Sequence, residues 1–196
     1  MPYRLGLTGS IGMGKSTTAG FFAAAGLPVW DADAAVHRLY ARGGAAVAPI
    51  AAVWPQAVMD GAVDRPALKT IIAADDTALS SIEAIVHPLV ATDRADFLAK
   101  ASADIVVFDI PLLFEKGTEV EMDATLLVTA PAALQRARVM ARDGMTDAQF
   151  QTILSRQMPD VEKRARATHI IETLSMDAAG ACVTALVAYI RKARNA

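Results

Sequence analysis

Apolar and polar positions follow two regimes along this chain. Leu5 to Thr8 is a short apolar run, and Asp104-Ile105-Val106-Val107-Phe108-Asp109 is an almost unbroken one. Runs without alternation predict strands of a parallel sheet buried on both faces. Leu27-Pro28-Val29-Trp30, Ala124 to Val128 and Thr168 to Ile171 read as three more strands. Helical stretches lie between them. Ser16 to Ala25 is closed by Gly26 as a C′ residue. A second stretch is opened by Pro131 and runs through Gln135-Arg136-Ala137-Arg138 to Arg142. A third starts at Thr146 with Gln149, a capping-box pair, and ends near Met158-Pro159. Asp177 to Arg194 is an amphipathic closing helix. Strands alternating with helices predict an α/β fold around five strands.

From Val36 to Ala101 the pattern changes. Short helical pieces are broken at Gly43-Gly44, Trp54-Pro55, Asp60-Gly61, Arg65-Pro66 and His87-Pro88, and no segment reads as a strand. The region therefore reads as a helical insertion, residues 36–101. It emerges directly after Asp31-Ala32-Asp33, where it is placed to form an acceptor-binding wall. His87 precedes a proline, which predicts an element boundary there. The remaining pieces, 1–35, 102–135 and 167–196, form the sheet core, and 136–166 is a helical hairpin.

Composition narrows the class. The chain has 196 residues with 54% hydrophobic content, enough for a core of its own. A formal net charge of −2 and a pI of about 5.9 argue against nucleic acid or an anionic membrane as a general partner. Cys182 is the only cysteine and sits in an apolar helical run, so a core position and a reducing compartment are expected. No secretory leader pattern and no membrane-length apolar run is present, and a soluble cytoplasmic protein is expected.

The chemistry is concentrated in Gly9-Ser10-Ile11-Gly12-Met13-Gly14-Lys15-Ser16. It fits G-x-x-x-x-G-K-[ST], the phosphate-binding loop, between a strand and a helix as that motif requires. Gly9, Gly12 and Gly14 let backbone N–H groups approach an anion, and the following helix adds its positive end. Lys15 would reach the β- and γ-phosphates, and the Ser16 hydroxyl would ligate Mg²⁺. Asp109, ending the most buried strand, reads as a second acid on the metal. Of Asp31 and Asp33, one is expected to cap the helix that starts at Ala34 and the other to face the site, on the rim where ligands of open α/β sheets bind. Asp33 is the site candidate. His87 could hydrogen-bond a substrate through its neutral ring. Pro111-Leu112-Leu113-Phe114 is expected to be an exposed apolar loop contacting ligand or lid. Between Arg136 and Arg166, seven basic residues face four acids, a surplus that favours polyphosphate contact.

Taken together these residues resemble the dephospho-coenzyme A kinase family. Thr8 to Ser16 matches its Thr-Gly-x-Ile-Gly-x-Gly-Lys-Ser loop, Asp31-Ala32-Asp33 its Asp-Ala-Asp, and His87-Pro88, Pro111 to Glu115 and Arg138 to Arg142 with Asp143 follow in order. The resemblance implies a three-layer P-loop kinase core with a five-stranded parallel sheet, a helical acceptor-binding insertion and a mobile lid over 136–166. It implies ATP and dephospho-coenzyme A as substrates and Mg²⁺ as cofactor. Gly9 to Thr17 with Arg138 and Arg142 would bind nucleotide, whereas Thr8, Asp33, His87, Pro111, Leu112, Leu113 and Glu115 would meet the acceptor. Lys15, Asp33 and Arg142 would be catalytic, with Ser16 and Asp109 at the metal. Two departures stand out. Met13 occupies a position where the family usually has Ser, with little effect expected because its backbone N–H is what contributes. Ala167-Thr168-His169-Ile170-Ile171-Glu172-Thr173 replaces Ala-Asp-x-x-Ile-x-Asn on the base side of the nucleotide site.

The competing readings are another small-acceptor P-loop kinase, a regulatory GTPase and a nucleotide-binding scaffold without turnover. Guanine recognition in GTPases generally uses Asn-Lys-x-Asp, and the single asparagine of this chain is Asn195. The joint presence of Lys15, Ser16, Asp33, Asp109 and Arg142 favours a transferase over a scaffold.

Overall fold

A computed structural model describes residues 1–195. Contacts divide the chain into two compact units, Met1–Val29 with Ser102–Ala196 and Trp30–Ala101. The second unit thus begins at Trp30, six residues before the change of pattern at Val36. Among the described residues no helix is long and apolar enough to cross a membrane.

The sheet consists of β1 (Tyr3–Thr8), β2 (Val29–Asp31), β5 (Ile105–Asp109), β6 (Ala124–Thr129) and β7 (His169–Glu172), in the order β2-β5-β1-β6-β7, and all of it but Trp30 and Asp31 of β2 belongs to the first unit. The pairings of β1 with β5 and β6, and of β6 with β7, are parallel. Every residue of β5 and β6 is buried, as their unbroken apolar runs require. Leu5, Leu7, Ile105, Val107, Leu126 and Val128 lie in one core cluster with Phe22 of α1 (Lys15–Ala24) and Val183, Val187 and Ile190 of α9 (Met176–Arg194). Burying Phe22 completely is worth about 2 kcal/mol.

The other side of β1 is covered by the segment that follows β5. A Cβ on Gly6 would lie 2.8 Å from Met122 Cγ and 3.0 Å from Leu113 Cδ2. This coverage overturns the expected exposed apolar loop: Leu113 and Phe114 are buried, and Leu113 with Met122 fills the space that β1 leaves by having no side chain at Gly6. Cys182, in contrast, is exposed rather than in the core. The buried stripe of α9 runs through Ala179, Val183, Val187 and Ile190, and residue 182 falls roughly a quarter-turn off it.

In the remainder of the first unit α6 (Ala132–Met140), α7 (Asp147–Ser155) and α8 (Asp160–Arg166) follow one another, α7 opening with the expected capping box of Thr146 and Gln149. The sequence reading ran α7 on to Met158, but it ends at Ser155 and α8 is a separate helix.

The second unit contains α2 (Ala32–Tyr40), α3 (Val47–Val53), α4 (Arg65–Ala74) and α5 (Ala78–Lys100). Leu39, Ile50, Val63, Leu68, Ile82 and Val86 are buried together in its core. Two expectations fail here. A hairpin of β3 (Val58–Met59) and β4 (Ala62–Val63) is present, turned by Asp60 and Gly61 with φ of +52° and +77°. An Asp-Gly pair with both φ positive suits a two-residue turn whose twist matches its strands. His87-Pro88 is not a boundary either, because α5 continues for 23 residues with Pro88 inside it. The proline removes one helical hydrogen bond, but Ile82 and Val86 before it and Leu89 and Val90 after it pack into the same cluster.

Candidate functional site

The phosphate-binding loop joins β1 to α1. Gly12 and Gly14 have φ of +77° and +86°, the left-handed conformation that glycine takes without strain. Gly9 is required for a different reason from the one the motif suggests: a Cβ there would fall 2.6 Å from Val128 Cγ2 and 2.8 Å from the Val128 carbonyl oxygen. The first turn of α1 exposes Ser16 and Thr17, leaving their hydroxyls accessible. Lys15 forms an ion pair with Asp109, which stands opposite Leu7 in the β1–β5 register.

Beside the loop is an open cleft of about 220 Å³ lined by Gly12, Gly14, Thr17, Arg138, Arg142 and Thr173, with Ser175, Met176 and Ala179 at one side. Two guanidinium groups and the positive end of α1 make it an anion-binding surface. Arg138 is anchored by Thr173, whose hydroxyl accepts from Arg138 Nη1 at 2.9 Å and whose carbonyl oxygen accepts from Nη2. The same Thr173 hydroxyl lies 2.9 Å from the Met13 carbonyl and 3.2 Å from that of Thr129, either of which accepts its proton. Thr173 therefore couples the loop to Arg138 from the position where the family resemblance expects Asn. The surplus of positive charge noted between residues 136 and 166 is largely neutralised: Arg136 pairs with Asp147, Lys163 with Glu115, Arg164 with Asp160 and Glu172, and Arg166 with Glu119. Arg138 and Arg142 are the two basic residues of that stretch in the cleft wall.

Met13 does more than supply backbone. Its side chain is buried in the sheet core and its sulfur accepts from the Ala130 N–H at 3.0 Å. A serine would leave that space empty, which corrects the expectation that the residue type matters little.

The segment after β5 has a structural duty. The Thr8 hydroxyl donates to the Pro111 carbonyl at 3.1 Å, so the end of β1 and the loop are tied together. Pro111 and Leu112 are partly exposed, while Leu113 has no exposed surface and cannot touch a ligand in this conformation. Glu115 Oε1 accepts from the Met158 N–H at 2.9 Å and pairs at 2.8 Å with Lys163, whose side chain is fully buried. Burial pushes the Glu115 carboxyl up, but the Lys163 and Met158 contacts outweigh it and hold the group below its ordinary range. Arg166 lies over the Phe114 ring at 5.3 Å. The carboxylate and ring of this motif thus hold α8 in place.

Asp33 and His87 belong to the second unit. Asp31 caps α2, accepting from the Ala34 N–H at 2.8 Å, which leaves the exposed carboxylate of Asp33 in the first helical turn for another partner. The cap on Asp31 is one half of the division expected of the pair. Asp93 on α5 accepts from Trp30 Nε1 at 2.7 Å and from Arg38, so it fixes the helix that carries Asp33; the Arg38 hydrogen bond holds the Asp93 carboxyl below its usual range. His87 is exposed on α5 and faces Glu83 at 3.8 Å.

Sequence reasoning met Thr173 only as a departure from the family pattern and Lys163 only as part of a basic surplus, and it passed over Ser175 and Met176. Ser175 could have been found, since it caps α9 by accepting from the Ala178 N–H. The others have no local pattern: they acquire their places only when β7 and α8 come beside the loop.

A donor set of one hydroxyl, Ser16, and one carboxylate, Asp109, suits Mg²⁺, which takes few protein oxygens and completes its shell with water and substrate phosphates. Among the described residues no group of three or more His, Cys, Asp or Glu could hold a metal by itself.

Comparison with known proteins agrees with these observations. The model of the dephospho-CoA kinase family matches residues 3–177. A dephospho-CoA kinase of Cereibacter sphaeroides is 69% identical over 195 residues, covering 100% of this chain and 99% of that protein. A crystal structure from Thermus thermophilus is 37% identical with a TM-score of 0.85, over 96% of this chain and 97% of that one. A dephospho-CoA kinase from Campylobacter jejuni shares the fold at 22% identity and a TM-score of 0.73, over 99% and 100% of the two chains. With a sheet, a glycine-turned phosphate loop and an arginine-lined cleft in the places that this family model spans, the chain belongs to the dephospho-CoA kinase family.

Proposed function

We propose that the protein transfers the γ-phosphoryl group of ATP to the ribose 3′-hydroxyl of dephospho-coenzyme A, giving coenzyme A and ADP. The observation that carries this reading is the cleft beside the phosphate loop: Gly12 and Gly14 at positive φ and Arg138 and Arg142 in its wall, with Lys15 following Gly14 in the first turn of α1. In such a transfer the transition state is loose and highly charged, so catalysis consists mainly of positioning and of stabilising charge.

The loop amides and Lys15 hold the β- and γ-phosphates, Lys15 exchanging its ion pair with Asp109 for the incoming anion. Ser16 and Asp109 would hold Mg²⁺, which when bound neutralises phosphate charge. Arg142, with Arg138 held by Thr173, stabilises the charge on the transferring group as the hairpin closes and excludes water. Asp33 accepts a hydrogen bond from the 3′-hydroxyl, orients it and takes its proton late, so a strong base is unnecessary. His87, Pro111 and Leu112 contribute to the acceptor side, whereas Thr8, which has no exposed surface and donates its hydroxyl proton to the Pro111 carbonyl, acts by holding that loop. Thr173 to Met176 border the base side of the nucleotide. Its lone, unbridged cysteine suits a reducing cytoplasm.

The test is Mg-ATP and purified protein with dephospho-coenzyme A, AMP, adenosine and shikimate in parallel, read by mass for one added phosphoryl group. Addition to dephospho-coenzyme A alone is expected. Phosphorylation of AMP and not of dephospho-coenzyme A would overturn the acceptor assignment.

A further inference from the structure

Ile11 of the phosphate-binding loop is held from two directions. Gln135 Nε2 donates to its carbonyl oxygen at 2.8 Å, and its own N–H donates to Gln157 Oε1 at 3.1 Å. Gln135 is buried on α6, and Gln157 lies between α7 and α8. These two residues bracket the hairpin of residues 136–156, so both ends of the element that carries Arg138 and Arg142 hang on one residue of the loop, through the peptide units on either side of it.

Further contacts make the attachment stiff. A Cβ on Gly12 would meet Val139 Cγ2 at 2.5 Å and the Gln135 carbonyl oxygen at 3.0 Å, so α6 rests directly on the loop. Residues 135 and 138 are spaced i and i+3 and lie along one helix face, and Arg142 follows two residues beyond the end of α6 at Met140. On the far end, the Met158 N–H next to Gln157 is held by Glu115. A change in the loop at Ile11 therefore reaches the arginines through α6 and through the return segment at once.

We infer that Gln135 and Gln157 are positioning residues for phosphoryl transfer: through Ile11 they make the placement of Arg138 and Arg142 depend on whether the phosphate loop is occupied. Neither side chain touches substrate in this role. The inference rests on the phosphoryl-transfer reading for its kinetic consequence, and on the two hydrogen bonds alone for its mechanical one.

The experiment follows amide hydrogen exchange over residues 142–156 with and without a non-hydrolysable ATP analogue and Mg²⁺, together with kcat, KM and the ratio of ATP hydrolysis to transfer. Two variants of equal shape and charge separate attachment from electrostatics. Gln157→Glu keeps an acceptor for the Ile11 N–H, whereas an ionised Gln135→Glu has no proton to donate to the Ile11 carbonyl. Gln157→Ala removes the first contact altogether. Gln135→Glu and Gln157→Ala are expected to lose nucleotide-dependent protection, to lower kcat about three- to tenfold with KM for ATP little changed, and to raise the hydrolysis-to-transfer ratio. Gln157→Glu is expected to retain the protection. If Gln157→Ala kept both parental protection and the parental ratio, or if the analogue protected nothing in the parent, the inference would be overturned. A parent hairpin that is protected, and released by Gln157→Ala, in a protein that does not phosphorylate dephospho-coenzyme A would uphold the positioning role and remove only the acceptor.

Discussion

Where β1 ends, Gly9 to Ser16 keeps its bulk out of the way, with Gly12 and Gly14 at positive φ and their backbone lining the cleft. Where its neighbour β5 ends, Pro111 to Glu115 does the opposite: Leu113 fills the space over Gly6, the buried Phe114 ring lies under Arg166, and Glu115 grips Lys163. Both segments leave the same rim of the same sheet. One works through backbone and so needs small residues; the other works through side chains and so needs large ones. The difference teaches that closeness to a ligand rim does not make a loop a ligand contact, because the second segment spends its residues on holding α8 beneath the hairpin.

The comparison is most sharply broken by Lys163→Ala. It strands the Glu115 carboxylate without its partner and is expected to cost about 3–5 kcal/mol of stability, read as a lower urea midpoint, with the nucleotide affinity of the folded fraction unchanged. Lys15→Ala should be felt in catalysis, with kcat of the folded fraction falling by about 100- to 1000-fold; it also removes the ion pair of the buried Asp109 carboxylate, so the thermal midpoint should fall as well. Asp33→Asn is next, with transfer reduced by about 100-fold and ATP affinity intact, whereas Asp31→Ala should cost about 1 kcal/mol of stability through its lost cap. Parental transfer rates in Asp33→Asn would show that the carboxylate has no such role. Met13→Ser tests whether the glycine-turned loop also depends on a side chain; loss of the buried thioether should cost about 2 kcal/mol in a denaturation curve.

The smallest effect is on pH dependence. Because the folded-state carboxyl of Glu115 lies below its ordinary value of 4.5, its stabilising contribution is complete above that value and fades as pH falls below it. Melting temperature should therefore drop more steeply from about pH 5 to about pH 3 in the parent than in Glu115→Gln. Equal slopes would mean that the pair with Lys163 does not govern this segment.

Much of the site was legible without coordinates. The phosphate loop could be read because its requirements are local: glycines for backbone shape, a lysine and a hydroxyl at set distances along the chain. Asp31 and Asp33 could be assigned different duties because a cap and a free carboxylate two residues apart follow from helix-start geometry. The buried strands β5 and β6 declared themselves by their unbroken apolar runs. The long helix through Pro88 and the short hairpin at Asp60-Gly61 were missed for opposite reasons. Packing on both sides of the proline overrode a local breaker, and strands of two residues are too short to carry a period.

The sequence alone determined the α/β class, the donor loop and the acid pair after the second strand, since each depends on residues within one turn or one strand of one another. Tertiary structure alone decided that Leu113 and Phe114 face inward, that Met13 fills core, that Thr173 steadies Arg138, and that Gln135 and Gln157 meet at Ile11. The hydrogen bonds among those contacts join residues as many as 146 positions apart, and no spacing along the chain encodes which surfaces a folded sheet will bring together.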